Sequence, residues 1–187
     1  MHIKEVKTAV KVGDFVLIQD HRNKIGITYL PIDNKILVDD SPRVYLMVEN
    51  GVIKKIGGSA QRGGIKATMK FYTSSMTGSP GVPRFVLHRL IEIALTNRLK
   101  LELFIIRSPK VDVPVNGLFD QIKMKIASFK EMENRCKDDY YAKEGRYPDW
   151  NFQENHQPYP PDLAQEHVLY HQNRLSKKKA KLLAASK

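Results

Sequence analysis

One stretch of this chain, residues 44–62, constrains the possible folds more than any other. Two apolar runs flank Asn50-Gly51, and Asn-Gly between residues that favour β-structure is a strong signal for a β-hairpin. The second run ends in Gly57-Gly58, where the lack of side chains lets a partner approach the backbone closely. The stretch therefore predicts two antiparallel strands followed by a glycine-rich turn.

Positive charge is concentrated in the part of the chain that contains this stretch. The whole chain has a formal net charge of +11. Residues 51–110 hold eleven Lys or Arg side chains against only Glu92 and Glu102, whereas residues 1–50 hold equal numbers of basic and acidic side chains. Uncompensated charge opposes folding unless a partner neutralises it, so this distribution favours a nucleic-acid partner over a merely charged surface.

Composition excludes several classes of protein. With 187 residues, 42% of them hydrophobic, the chain is long enough to bury a core as a soluble globular protein. No apolar run approaches the roughly 20 residues of a membrane span, and no signal peptide is recognisable. The single cysteine, Cys136, allows no internal disulfide and no cysteine-based metal site, which fits the reducing cytoplasm as the expected location.

Before the hairpin, three short segments have the pattern of β-strands. They cover residues 8–18, with an interruption at Gly13-Asp14, and residues 25–30 and 35–38. We expect them to form a small β-rich appendage. The appendage would either pack beside the main sheet, which is the favoured alternative, or reach into a DNA groove through the polar loop at residues 21–24.

After the hairpin, the pattern predicts mainly helices. Helices are predicted over residues 63–72 and 85–97, and the apolar run at 101–106 predicts a central strand. The longest helical pattern covers residues 117–141. The buried face of that helix would contain Phe119, Ile122, Ile126, Phe129 and Cys136. Asp162 is expected to cap a last helix over residues 163–175, and the lysine-rich end of the chain is expected to fray.

The hairpin carries two short motifs that resemble those of the GIY-YIG nuclease family. Val44-Tyr45 stands where the first motif has Ile-Tyr, and Lys55 with the two residues after it stands in place of Tyr-Ile-Gly. Two positions differ from the family pattern, because Lys55 replaces the second tyrosine and Arg43 replaces the glycine that usually opens the first motif. The order of the predicted elements, strand-strand-helix-helix-strand-helix, is also similar to the fold of that family.

The resemblance covers roughly residues 43–152 and implies a fold. That fold is an α/β fold of the α+β type, with a small three-stranded mixed sheet flanked by helices. Residues 1–42 would then be an N-terminal β-rich appendage to the nuclease-like core, and residues 153–187 a C-terminal helix and basic tail.

Tyr45 is the first candidate catalytic residue, and its role depends on the register of the hairpin. A two-residue turn would pair Tyr45 with Ile56 and place Lys55 on the other face beside Leu46. A three-residue loop with a positive φ at Gly51 would pair Tyr45 with Lys55. We expect the second register, because it also gathers the apolar side chains of both strands. A lysine ammonium beside a phenol with a pKa of about 10 favours the phenolate, so Tyr45, activated by Lys55, would orient or deprotonate the attacking water.

Several residues near the hairpin are candidates for binding phosphate. Arg62 would neutralise charge on the reacting phosphate, and Lys66, which lies further into the following helix, is its rival. The resemblance implies a histidine or tyrosine one turn after the arginine, and Tyr72 is the nearest such residue. Further candidates for contacts with DNA are Lys54, Ser59, Lys70 and Arg84.

Glu133 is the candidate metal ligand. Counting helical turns places Glu133 on the buried face of the predicted helix and Glu131 elsewhere. A carboxylate that faces inward needs a partner, which a divalent cation or an arginine would provide. The resemblance implies one Mg²⁺ ion on a glutamate of this helix, and an asparagine further on for which Asn151 is the candidate. An incidental ion pair in the core is the alternative for Glu133, and Glu131 is the alternative ligand.

His167 and His171 lie one helical turn apart, a spacing that suits metal ligands. No third ligand at a useful spacing is evident in the sequence, and the His-Glu-x-x-His order of a metalloprotease is absent. We therefore expect these histidines to belong to a polar face of the C-terminal helix.

These features together predict a Mg²⁺-dependent DNA endonuclease that resembles the type II restriction enzymes of the GIY-YIG family. Cleavage of both strands of double-stranded DNA with one site per chain favours a symmetric homodimer.

Two alternative functions stay open. One is a non-catalytic nucleic-acid-binding module, against which Glu133 argues because its carboxylate would repel phosphate. The other is a homing or repair nuclease of the same family, for which no added domain is recognisable.

Overall fold

The computed structural model describes residues 1–19, 23–126 and 128–185, with side chains as far as residue 177. Two short 3-10 helices, Ile3–Glu5 and Ser75–Thr77, accompany the main elements. The main elements in chain order are β1 (Val10–Leu17), β2 (Ile25–Tyr29), α1 (Asn34–Val38), β3 (Arg43–Glu49), β4 (Val52–Ser59), α2 (Gly64–Thr73), α3 (Val82–Thr96), β5 (Leu101–Arg107), β6 (Val111–Asn116), β7 (Gln121–Ile126), α4 (Phe129–Glu144) and α5 (Pro161–Ala185).

The fold is α+β, as the sequence predicts, but the main sheet has five antiparallel strands where three mixed strands were expected. The strand order is β2-β1-β5-β3-β4, and each neighbouring pair is antiparallel. The additional strands come from the N-terminal segment, because β1 pairs with β5 on one side and with β2 on the other. Residues 1–42 thus contribute two strands to the sheet that carries the hairpin.

The expected interruption at Gly13-Asp14 is wrong, because β1 continues through both residues. A bulge between Lys11 and Gly13 interrupts only the register with β5. An added Cβ at Gly13 would lie 2.8 Å from the carbonyl oxygen of Thr28. Glycine at this position therefore permits close packing of β1 against β2, and does not mark a turn.

Residues 35–38, predicted as a strand, belong to the short helix α1. Asp33 precedes the helix, and its Oδ1 accepts a hydrogen bond of 2.9 Å from the backbone N–H of Lys35. Such an N-cap satisfies a donor at the helix start that has no partner within the helix. The N-cap stabilises the helix, although the β-branched residues of the segment favour a strand.

The helix predicted over residues 117–141 is wrong in its first half. Strands β6 and β7 pair as a separate two-stranded ribbon, and helix α4 begins only at Phe129. Pro114 lies within the ribbon, and the backbone N–H of Gly117 donates to the carbonyl of Asp120 across its turn over 2.7 Å. Phe119, expected in the core, is 99% exposed at this turn. The apolar residues of the ribbon alternate with polar ones, which is the two-residue period of a strand. Over so short a segment, this pattern also fits the helical period of 3.6 residues.

The main sheet is covered on both faces. Helices α2 and α3 pack on the face that contains Tyr45 and Met47, whereas α4 packs on the face that contains Val44, Leu46 and Val48. Strand β3 is therefore buried on both sides, which explains its nearly continuous apolar run. The helices predicted over 63–72 and 85–97 and the strand predicted over 101–106 are confirmed, with ends shifted by at most three residues.

Helix α5 packs against α3 and is longer than predicted. It begins at Pro161 and continues to Ala185, so the chain beyond residue 175 that was expected to fray is helical as far as Ala185. His21 and Arg22 of the predicted polar loop lie outside the described residues, as do residues 186 and 187. In the part of the chain that the structure describes, no helix is both long and apolar enough to span a membrane.

Arg43, at the start of β3, is a buried cation that joins three segments. Its side chain is 2% exposed. Its guanidinium donates to the carbonyl oxygens of Asp39 at 2.5 Å, Ser41 at 2.8 Å and Gln61 at 3.1 Å. These bonds tie the end of α1 to the loop between β4 and α2. The residue that replaces the motif glycine thus has a structural role.

Replacing Arg43 with Met should lower the free energy of unfolding by roughly 3 kcal/mol, because the buried carbonyls would lose their charged donor. Urea denaturation measures this change. The matched control is Arg62→Met, since Arg62 is exposed and its replacement should change stability by less than about 0.5 kcal/mol. Equal stability of the two variants would show that the Arg43 bonds contribute nothing to the fold.

Candidate active site

The β3–β4 hairpin has a register that combines features of both expected ones. Glu49 pairs with Val52, so the turn has two residues, and both have positive φ: 46° at Asn50 and 85° at Gly51. The register then shifts between Met47 and Val48, because β4 holds one extra residue there. Such a bulge moves every β4 residue beyond it to the opposite face of the sheet, compared with a regular hairpin.

The bulge places Tyr45 and Lys55 on the same face of the hairpin. Tyr45 pairs with Gly57, and Met47 pairs with Lys55, so the two site residues are diagonal neighbours across the strands. The expected shared face and the expected positive φ at Gly51 are confirmed. The expected direct pairing of Tyr45 with Lys55 is wrong, and so is the three-residue loop.

Tyr45 and Lys55 line a cleft of about 370 Å³ at the edge of the main sheet. The cleft lies between β4, helices α2 and α3, and the segment that follows α4. Its lining includes these side chains with polar or aromatic groups: Tyr45, Lys55, Ser59, Thr68, Tyr72, Arg84, Trp150, Gln153, Glu154 and Tyr159. The structure therefore brings three further predicted residues to the cleft: Ser59 from β4, Tyr72 from α2 and Arg84 from α3.

Two phenols meet inside the cleft. The hydroxyl oxygens of Tyr45 and Tyr72 are 2.6 Å apart. Gly57 makes room for this arrangement, because an added Cβ there would lie 2.3 Å from the Tyr45 hydroxyl. Burial raises the pKa of Tyr45 well above its ordinary value, and the nearby Tyr72, Glu133 and Glu154 raise it further. Tyr45 is therefore protonated at neutral pH, the opposite of the phenolate that we expected.

The pKa of Lys55 shifts in the opposite direction. Burial lowers the pKa of the Lys55 ammonium below its ordinary value of 10.5, and the charge of Lys137 acts in the same direction, while Glu154 and Glu133 oppose it. A lysine with a lowered pKa releases its proton more readily, so a larger fraction of the amine is neutral near pH 7 and can act as a general base. The pair in the cleft thus consists of a phenol that keeps its proton and an amine that gives its proton up more easily.

Glu133 lies beside the wall of the cleft that Gly58 forms, and it does not itself contribute to the lining. It is half-buried and Glu131 is exposed, as the helical spacing predicts. An added Cβ at Gly58, which lines the cleft, would lie 2.6 Å from Glu133 Oε2. Glu133 Oε1 is 2.6 Å from Lys137 Nζ, and Lys137 also forms an ion pair with Glu154. One lysine thus bridges two carboxylates beside the phenols.

Asn151 is a positioning residue for this wall of the cleft. It is fully buried, its Oδ1 accepts from the backbone N–H of Ile56 at 2.9 Å, and its Nδ2 donates to the Ile56 carbonyl at 3.0 Å. The backbone N–H of Trp150 donates to the carbonyl of Lys54 over 2.8 Å. The segment therefore covers the free edge of β4 as a further strand would, and it carries Glu154 into the cleft.

The structure does not bring Arg62 or Lys66 into the cleft. Neither residue contributes to its lining. The Lys66 ammonium donates to Asn34 Oδ1 at 2.8 Å and lies 5.4 Å from the centre of the Tyr29 ring. Arg62 is exposed on the turn before α2.

The arginine of the cleft is Arg84, at the start of α3. Its Nε donates to the carbonyl of Phe71 and, over 3.1 Å, to Ser75 Oγ, and its guanidinium lies 5.4 Å from the centre of the Phe71 ring. In the described part of the chain, the hydrogen bonds of Arg84 use only Nε. Both terminal NH₂ groups of the guanidinium are therefore available for a ligand.

The other residues predicted to bind DNA have different surroundings. Ser59 lines the cleft and forms a hydrogen bond of 2.8 Å with Thr68 Oγ1. The Lys54 ammonium is 2.8 Å from Asp149 and 3.6 Å from Glu49, so carboxylates already neutralise its charge. Lys70 is exposed on α2. Of these residues and Arg84, only Ser59 and Arg84 line the cleft.

Sequence reasoning missed Lys137, Glu154, Trp150 and the roles of Thr68 and Arg84 at the cleft. Glu154 lies in an irregular segment, where no periodicity indicates the direction of a side chain. Lys137 follows Glu133 by one helical turn, and this spacing was the one signal that could have indicated an ion pair.

The donor atoms at the cleft fit Mg²⁺ held together with a phosphate. Among the described residues, no group of three or more His, Cys, Asp or Glu side chains could hold a metal ion. Mg²⁺, however, is usually bound by one or two carboxylates with substrate phosphates and water completing its ligands. Glu133 and Glu154 share Lys137 as a cation, and they supply hard oxygen donors of this kind.

Comparison with known proteins identifies similar folds. No protein-family model and no curated protein matches this chain. A mutant of EndoII of bacteriophage T4 is similar in structure, with a TM-score of 0.53 and 16% identity over 81% of this chain and 98% of that chain. The restriction endonuclease HPY188I in complex with product DNA has a TM-score of 0.45 and 20% identity, over 78% and 80% of the two chains. This chain therefore has a fold similar to that of EndoII.

Replacing Gly57 with Ala should push the Tyr45 ring out of its place, break its hydrogen bond with Tyr72 and cost about 1–3 kcal/mol of stability through overpacking. Urea denaturation measures the cost. Gly78→Ala is the matched control, because an added Cβ at Gly78 would meet no atom within 4 Å. If Gly57→Ala is as stable as Gly78→Ala, the Tyr45 ring does not lie against β4.

Proposed function

We propose that this protein is a GIY-YIG-type DNA endonuclease that hydrolyses phosphodiester bonds in double-stranded DNA at this cleft. The observation that carries the proposal is the meeting of two phenols, a lysine, an arginine and a carboxylate at one cleft. Tyr45, Tyr72, Lys55 and Arg84 line the cleft, and the carboxylate of Glu133 lies at its rim beside Gly58. The similarity of the fold to that of EndoII supports the proposal.

Arg84 holds the phosphate in this proposal. The resemblance to the GIY-YIG family implies an arginine one turn before the second aromatic residue. With Tyr72 as that residue, the position is Thr68, whose hydroxyl donates to the carbonyl of Gly64 at 3.1 Å. The Thr68 side chain is uncharged, so the positive charge that holds the phosphate must come from another element. Arg84 enters the same cleft from α3 with both NH₂ groups available, which suits bidentate contact with a phosphate.

Tyr45 and Lys55 act on the attacking water. The Tyr45 hydroxyl, paired with Tyr72, orients the water by hydrogen bonding, and Lys55 in its neutral form accepts the proton of the water. The water oxygen forms a bond to phosphorus as the bond from phosphorus to the leaving sugar oxygen breaks. This assignment keeps the orienting role first expected of Tyr45 and transfers the role of base to Lys55.

Glu133 would hold one Mg²⁺ ion, which would supply positive charge to stabilise the leaving oxygen. The carboxylate is now paired with Lys137, so the lysine keeps the half-buried charge satisfied when no ion is bound. The position of Glu133 beside Gly58 leaves its Oε2 near the backbone of β4, at the rim of the cleft.

We also propose that the enzyme acts as a type II restriction endonuclease and as a homodimer. Two sites related by two-fold symmetry match the two strands of a duplex. The β6–β7 ribbon supports self-association, because its exposed apolar side chains are costly to leave in water. They include Val111, Leu118, Phe119, Ile122, Met124 and Ile126.

Incubation of the purified protein with plasmid DNA, with Mg²⁺ or with EDTA, tests the proposal. We expect discrete fragments with Mg²⁺ and intact plasmid with EDTA. Nicking at scattered sites would indicate a repair nuclease. Binding without any cleavage over a series of plasmids and divalent ions would contradict the proposal and indicate a nucleic-acid-binding module.

Cleavage should depend on pH through Lys55. Only the neutral amine accepts a proton, so the rate should rise with pH until it passes the lowered pKa of Lys55. Lys55→Arg keeps the positive charge but cannot give up a proton. This variant should lose about 100-fold or more of the single-turnover rate, and the Lys55-dependent rise with pH should disappear. A rate and pH profile equal to those of the unaltered protein would show that Lys55 serves only as a cation.

Arg84→Ala should reduce cleavage far more than DNA affinity, since one phosphate contact among many matters mainly in the transition state. We expect a loss of about 100-fold in single-turnover rate and a small change in a fluorescence-anisotropy binding assay. Arg62→Ala is the control and should retain most of the rate. A larger loss in Arg62→Ala would assign the phosphate to Arg62 instead.

The two glutamates of α4 should respond differently to neutralisation. Glu133→Gln keeps the shape but removes the charge, so Mg²⁺ binding and cleavage should be lost, while DNA binding should persist or tighten. Glu131→Gln should change neither, because Glu131 is exposed. Calorimetric titration with Mg²⁺ in the presence of DNA measures the difference. Loss of Mg²⁺ binding in Glu131→Gln alone would make Glu131 the metal ligand.

A further inference from the structure

A second group of metal-binding atoms lies outside the cleft, where α5 meets the loop before α3. His167 Nε2 and His171 Nε2 are 3.0 Å apart. The carbonyl oxygen of Pro80 is 2.9 Å from His167 Nε2 and 3.1 Å from His171 Nε2. The three atoms form a nearly equilateral triangle. The sequence does not reveal the third atom of the triangle, because it is a backbone oxygen of the loop before α3.

The size of the triangle matches one face of an octahedral metal site. With metal–nitrogen distances of about 2.1 Å, neighbouring ligands of an octahedron are about 3.0 Å apart, and those of a tetrahedron about 3.4 Å apart. The observed edges of 2.9–3.1 Å fit the first geometry, and a small outward movement gives the second. An ion above this face would keep open positions for water.

The triangle has room for one Nε2 proton but not for two. A proton on His167 Nε2 can be donated to Pro80, but a second proton on His171 Nε2 would point two donors at each other. One Nε2 lone pair therefore faces the triangle. His171 Nδ1 lies 3.3 Å from Ser79 Oγ, a contact that can hold the proton of this ring on Nδ1. Metal binding requires that both rings carry their proton on Nδ1, so that both Nε2 lone pairs face the ion.

The third ligand is held in place before any ion binds. The Tyr170 hydroxyl is within 3.0 Å of the carbonyl oxygens of Met76 and Gly78, which fixes the loop that contains Pro80. The His167 ring packs against the Phe85 ring in a T-shaped contact, with centroids 5.2 Å apart. Both histidines are half-exposed, so an ion can enter from solvent.

We propose that His167, His171 and the Pro80 carbonyl bind one divalent transition-metal ion of the Zn²⁺ or Ni²⁺ class. Imidazole ligands suit such ions, whereas Mg²⁺ prefers carboxylate, phosphate and water. The ion would join α5 to the loop that leads into α3, a few residues before Arg84. This proposal is independent of the proposed nuclease activity.

Isothermal titration calorimetry of the full chain with ZnCl₂, in excess Mg²⁺ to occupy any carboxylate site, tests the proposal. We expect one Zn²⁺ per chain at this site. His167→Gln and His171→Gln should each weaken its binding more than about tenfold. His156→Gln, at an exposed histidine outside the triangle, and Glu133→Gln are the controls and should leave the binding of Zn²⁺ unchanged. Zn²⁺ should also raise the Tm of the unaltered protein but not that of either His variant.

Titration with Co²⁺ adds a direct readout of the ligands. We expect a weak visible absorption band for the unaltered protein that is lost in both His variants. No binding of Zn²⁺ or Co²⁺ by the unaltered protein would overturn the proposal. So would binding that survives in both His variants, or that is lost equally in His156→Gln. Circular dichroism confirms that each variant is folded.

Discussion

One extra residue in strand β4 determines the arrangement of the candidate site. A regular two-residue hairpin would have placed Lys55 on the face of α4, opposite Tyr45. The bulge beside Met47 reverses that relation and brings Lys55 to the face that α2 and α3 cover. The arrangement of the cleft depends on this shift, because it places Gly57 opposite Tyr45. Gly57 leaves room for the Tyr45 ring, whose hydroxyl contacts that of Tyr72.

Buried polar groups then hold the walls of the cleft at fixed positions. Arg43 binds three carbonyls and fixes the loop before α2, while Asn151 uses both atoms of its amide on Ile56. Both residues are almost inaccessible to water. A buried polar group that loses its partners is costly, so each of these residues enforces one local geometry. Neither side chain touches the open cleft, and their contribution to its chemistry is through position.

The sequence predicted the hairpin, helices α2 and α3 and strand β5, because each of these depends on local pattern. It also predicted the shared face of Tyr45 and Lys55, but through a three-residue loop, whereas the bulge produces it. It did not predict that β1 would pair with β5, since long-range pairing leaves no local signal. Residues 117–126 were misassigned because their apolar spacing fits both a helix and a ribbon. The phenolate expected at Tyr45 failed for another reason: burial, which only the fold reveals, outweighs the effect of a lysine nearby. The entry of Arg84 into the cleft likewise depends on the packing of α3 against α2.

The central claim is that the cleft around Tyr45 holds the phosphate that is cleaved. A crystal structure of the Glu133→Gln protein bound to duplex DNA tests this claim most directly, because the variant should bind DNA without cutting it. The account predicts one DNA phosphate inside the cleft, in contact with the Tyr45 hydroxyl and the terminal NH₂ groups of Arg84. A duplex bound to another surface, with no phosphate near Tyr45, would contradict it.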